Sequence, residues 1–133
     1  MRATSFTVFT DPLYNVNYCI LRSGFKALPA LAVKRLPTGI ATALTKENLG
    51  DDLGGWFGLY RSSEPEIYGV LYVNSDCLPA DQRLIITHEC LHATLQVMRL
   101  IGCRPSAESE EAFTYYHTWL TGEVWKRLGL LKK

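Results

Sequence analysis

Apolar and polar positions change rhythm along the chain, and each change marks an element. From Thr4 to Thr10, Phe6 and Val8 alternate with polar neighbours, which predicts a short strand closed by Asp11-Pro12. Tyr14 to Leu21 fits a strand or a helix. Pro29, Pro37 and Gly39 divide the next stretch into short pieces, and Thr45 to Gly55 reads as turn or loop. Trp56 to Arg61 and Ile67 to Val73 are two β-rich runs separated by Ser62-Ser63-Glu64-Pro65-Glu66, the pattern of a β-hairpin.

The rhythm then lengthens to that of helices. One is predicted from Pro79 to about Ile101, with proline in its first turn and Gly102 as its stop. A second begins after Pro105, with Ser106 as N-cap and Glu108, Glu110 and Glu111 near the positive end of its dipole, and closes at Gly129. The expected fold is α+β: a single domain over residues 1–133, in which a small antiparallel sheet packs against these two helices.

Composition narrows the function classes. The chain has 133 residues, 47% hydrophobic and 20% charged, enough apolar material for one core without disulfide staples. Fourteen basic and thirteen acidic residues are intermixed, giving a net charge of +1. No basic stripe implies nucleic acid, and no apolar run or polybasic anchor implies a membrane. Cys19, Cys77, Cys90 and Cys103 form no CxxC pair, and the N-terminus lacks the apolar core of a signal peptide. The expectation is a reduced, cytoplasmic compartment with free thiols.

The chemistry concentrates in His88-Glu89-Cys90-Leu91-His92, an H-E-x-x-H pattern that holds two of the chain's three histidines. Residues four apart on a helix share a face, so both imidazoles can reach one zinc ion. Glu89 lies about 100° around the helix from His88, beside the ion, where a general base belongs. Leu84, Ile85, Leu91 and Leu95 flank the histidines, and this face is expected to look inward. Leu95 and Met98 replace the glycine and third histidine of the extended H-E-x-x-H-x-x-G-x-x-H pattern.

A third protein ligand must therefore come from elsewhere. On the second helix Glu110 shares the most polar stripe with Thr114, His117 and Thr121, whereas Phe113, Tyr116, Leu120 and Val124 form the apolar face. Glu111 shares an aromatic-lined, semi-buried face with Tyr115, Thr118, Trp119 and Trp125, and a carboxylate there calls for a partner. Glu111 is the preferred ligand, and Glu108, about 60° away, remains the alternative. His117 reads as a surface histidine, Tyr115 as a core tyrosine or a hydrogen-bond donor to the site, and Cys103 as a free thiol at a helix end.

These residues resemble the gluzincin class of zinc metallopeptidases, whose third ligand sits in a Glu-Ala context on the helix after H-E-x-x-H. Glu111-Ala112 matches that context, and the segment Trp56 to Trp125 looks similar to minimal single-domain zincins encoded by bacteriophages. Tyr115 stands where such enzymes often carry Asp or Asn. The resemblance implies zinc on His88, His92 and Glu111, with Glu89 as general base, and hydrolysis of a peptide or protein substrate. It also implies that the strand from Ile67 to Val73 is the sheet edge on which an extended peptide pairs. Two other expectations stand beside it: a non-catalytic zinc-binding module that acts on a partner protein, and a zinc hydrolase for a non-peptide bond.

Overall fold

A computed structural model of the protein describes residues 4–46, 54–61 and 66–131. Four strands form one sheet in the order β1-β2-β4-β3, from β1 (Ser5–Thr10), β2 (Val16–Ser23), β3 (Gly55–Arg61) and β4 (Ile67–Asn74). The segment that fits strand or helix by pattern is strand β2. Its sequence and that of β4 are nearly continuous apolar runs, buried on both faces, which places them at the centre of the sheet.

The sheet is mixed, which corrects the expected antiparallel arrangement. β1 pairs antiparallel with β2 and β3 antiparallel with β4, but β2 and β4 run parallel, with Val16 opposite Ile67 and Ser23 opposite Asn74. The physical reason lies in the stretch that the prolines divide. It folds as α1 (Leu28–Arg35) and α2 (Thr38–Lys46), which carry the chain across the sheet before it enters the β3–β4 hairpin. The predicted hairpin is present, but its connecting residues 62–65, like most of the Thr45–Gly55 segment, lie outside the described residues. A second correction follows from strand order: β4 is interior, and β3 is the edge.

Each face of the sheet has its own core. Cys19, Leu21, Val70 and Tyr72 pack against Leu28, Ala32, Leu36, Ile40, Ala41 and Leu44 of the first two helices. On the other face Val16, Tyr18, Ile20, Phe57, Leu71 and Val73 meet α3 (Pro79–Leu100) and α4 (Glu110–Arg127). Alternate residues along each strand thus serve opposite layers.

The two long helices end as predicted. Cys103 N–H bonds Met98 O at 2.8 Å and Gly102 N–H bonds Arg99 O at 3.1 Å, with Gly102 at φ 81°. Leu130 to Trp125 O (2.8 Å) and Gly129 to Lys126 O (3.2 Å) repeat this motif after α4, with Gly129 at φ 70°. Both are Schellman closures, which need a left-handed residue that glycine supplies without strain. The start of α4 differs from expectation. Ser106 caps a turn, accepting from Ser109 N–H at 3.1 Å, and the helix itself begins at Glu110. Glu108 therefore lies in the turn before the helix.

Candidate metal centre

α3 owes its position to an inward stripe of Ile86, Cys90, Ala93, Val97 and Met98, all essentially inaccessible to solvent. These recur at three- and four-residue spacing, as one face of a helix requires. His88 and His92 fall almost opposite that stripe, so both rings are exposed. The leucines expected to take this face into a cleft or core do not: Leu84 is 70% exposed, Leu91 47% and Leu95 36%, while Ile85 is half-buried. This is a correction to the helix phase. Three leucines and an isoleucine suggest a buried face, but the buried stripe runs through Ile86, Cys90, Ala93 and Val97 instead.

The histidine rings converge. Their Nε2 atoms stand 3.1 Å apart, with ring centroids at 4.8 Å and planes crossing at 77°. Two imidazole nitrogens bound at about 2.0–2.1 Å to one tetrahedral ion lie about 3.3–3.4 Å apart. The pair thus fits two ligand positions of a zinc ion with little movement. The same spacing also accommodates an N–H···N hydrogen bond between a donor and an acceptor tautomer.

Glu89 leaves the helix towards β3 and is 9% exposed. A Cβ on Gly55 would lie 2.3 Å from Ile85 Cγ2, 3.1 Å from Tyr72 O and 3.3 Å from Glu89 Cγ. The bare backbone at Gly55 therefore admits Ile85 and Glu89 beneath the start of the edge strand. Burial raises the Glu89 carboxyl above the usual carboxylate range, and the neighbouring His88 and His92 partly offset that rise.

No family model, curated protein or solved structure matches this chain.

The other candidate ligands are not gathered at the pair. Glu111 sits exposed in the first turn of α4 rather than on a semi-buried face, and Glu108 is exposed in the preceding turn. Cys103 closes the C-terminus of α3. Among the described residues, no group of three His, Cys, Asp or Glu side chains comes close enough to hold a metal ion. Thus the structure pairs His88 with His92, keeps Glu89 buried beside them, and brings no third donor to the pair among the described residues.

Other residues take roles that the sequence pattern hides. His117 is half-buried, not a surface histidine, and its Nε2 lies 3.0 Å from Thr87 O in α3. Thr121, on the same stripe, is buried, so the later part of this stripe turns inward while Glu110 and Thr114 stay exposed. Tyr115 is 71% exposed, which rules out a core tyrosine. Tyr116 Oη donates to Asp11 Oδ2 at 2.6 Å and lies 2.5 Å from Tyr18 Oη, leaving Tyr18 as donor to Tyr116. Asp11 is 1% exposed although it ends a strand. No local signal in the sequence could reveal this relay, since Tyr116 lies about a hundred residues from Asp11 and Tyr18. Gly54-Gly55 before a β-rich run is the signal for the close approach of α3.

Proposed function

We propose that the chain is a zinc metallopeptidase in which His88 and His92 hold the ion and Glu89 acts as general base. The observation that carries this reading is the convergence of the two Nε2 atoms with a buried glutamate on the intervening turn. Glu111 is the proposed third ligand. Its exposed carboxylate has no hydrogen bond or ion pair among the described residues, so it can turn without breaking a contact.

A bound zinc ion would supply Lewis acidity and a water of lowered pKa. Glu89 accepts a proton from the attacking water and returns it to the leaving amine nitrogen. Its position suits that work, because burial brings the carboxyl closer to the basicity required near neutral pH. The outer edge of β3, the strand nearest Glu89, offers unpaired backbone groups to an extended peptide. Burial of Glu89 under Gly55 thus ties the proton-transfer group to the strand that would align the substrate.

A non-catalytic zinc-binding module is the second reading. It rests on the same histidine pair and asks of Glu89 no proton transfer. Glu89→Gln separates the two, since the amide cannot take up the proton. The peptidase reading expects zinc-supported cleavage of a denatured protein substrate to fall at least about 100-fold in Glu89→Gln, with zinc affinity retained. Equal cleavage by both proteins, or none by the zinc-loaded wild type, would overturn it.

A further inference from the structure

Beside the core, the β1–β2 connection and the first turns of α4 line an open cavity of about 330 Å3. Asp11 forms its floor, and Tyr14, Tyr115, Tyr116 and Trp119 supply its aromatic lining. The rings are arranged as tilted neighbours: Tyr14 and Tyr116 centroids are 5.4 Å apart, and Tyr116 and Trp119 5.7 Å apart.

The floor carries charge. Asp11 accepts from Leu13 N–H at 2.7 Å and from Tyr116 Oη at 2.6 Å, and it has no ion pair with a basic side chain among the described residues. A carboxylate enclosed among apolar rings acts through little screening solvent, so it favours a cation nearby. The rings favour the same sign, since aromatic faces are electron-rich. The adjoining part of this cluster already holds a cation: the Arg127 guanidinium lies 4.5 Å from the centroid of Phe9, whose ring packs edge-on to Trp119 at 6.1 Å. Arg127 also pairs with Glu123 at 3.4 Å, so its own charge is partly balanced.

We propose that this cavity is a binding site for an organic ammonium group, seated against Tyr14, Tyr115 and Trp119 above Asp11. It contains none of His88, Glu89 or His92 and stands apart from the metal reading. The group can belong to a free quaternary amine or to a lysine side chain, and the chemistry of recognition is the same for both.

The test is a titration of the whole chain with choline, with Nα-acetyl-lysine amide, and with 3,3-dimethylbutan-1-ol, the neutral isostere of choline. Tryptophan fluorescence and the Trp119 indole resonance report binding, with ionic strength held constant by sodium chloride. At least one cation should bind saturably and at least tenfold more tightly than the neutral alcohol; the tighter cation identifies the source. Tyr115→Ala, a change at an exposed position, should keep the fold and weaken cation binding at least threefold. Equal binding of the alcohol, no saturable response to either cation, or an unchanged affinity in Tyr115→Ala would overturn the proposal.

Discussion

Cys90 shows how strongly a single residue's surroundings differ from those of its neighbours. Between Glu89 and Leu91, in the middle of the H-E-x-x-H pattern, it is fully enclosed by the core. Burial pushes its thiol up to about 12, and that of Cys19, on the opposite face of the sheet, up to about 11, from an ordinary 9.0. Neither thiol is in a disulfide. These shifts have a consequence for stability. Above pH 9 the unfolded chain releases both thiol protons, whereas the folded chain retains them until about pH 11 and 12. Stability contributed by these groups is therefore complete below pH 9 and declines as pH rises through that window. Each held proton is worth about 1.4 kcal/mol per pH unit, so together they should cost about 2–3 kcal/mol between pH 8 and 10. Urea unfolding at pH 8, 9 and 10 checks this, and Cys19→Ala should flatten the decline by about half. A midpoint independent of pH would contradict it.

Whole elements were legible in the sequence where local chemistry decides them. The ends of α3 and α4 follow from Gly102 and Gly129, and β1, β3 and β4 fall within a residue or so of their alternating or β-rich runs. Pairing was not legible, because nothing local to Val16–Ser23 or Ile67–Asn74 states that they run side by side and parallel. Nor does the stretch around Pro29, Pro37 and Gly39 announce two helices; Pro29 lies in the first turn of α1 and Pro37 immediately precedes α2, positions that helices tolerate. The phase of α3 misled for a different reason. Its exposed face carries leucines, while its buried face mixes Ile86, Val97 and Met98 with Cys90, Ala93 and Thr94, so hydrophobicity alone does not choose between the two. A pair of substitutions tests that phase. Ile86→Ala, at a fully buried position, should destabilise by about 2–5 kcal/mol. Leu84→Ala, at a position 70% exposed, should change stability by no more than about 0.5 kcal/mol. Comparable losses at both positions would mean that α3 is turned differently on its axis.

At the scale of the molecule, the three layers divide the work. α1 and α2 cover one face of the sheet, and the other face holds α3 and α4, with the bare backbone of Gly55 leaving room for Ile85 and Glu89. This arrangement leaves His88 and His92 at the surface and turns Glu89 towards the edge strand, so the proposed chemistry sits on the rim of the fold rather than in its interior. Among the described residues no helix is long and apolar enough to cross a membrane. The candidate site was half legible in the sequence. Its histidine pair and the glutamate between them follow from spacing on one helix, whereas the place of Glu111 depends on how a second helix is set. Glu111 meets the sequence criteria and still stands apart from the pair. The zinc-binding claim rests on the histidine pair alone and is tested most directly by calorimetric zinc titration of the wild type beside a His88→Ala/His92→Ala double variant. The account predicts one zinc per chain in the wild type and none in the variant, with both proteins folded. A wild type that takes up no zinc, or a double variant that still takes up one, would contradict it.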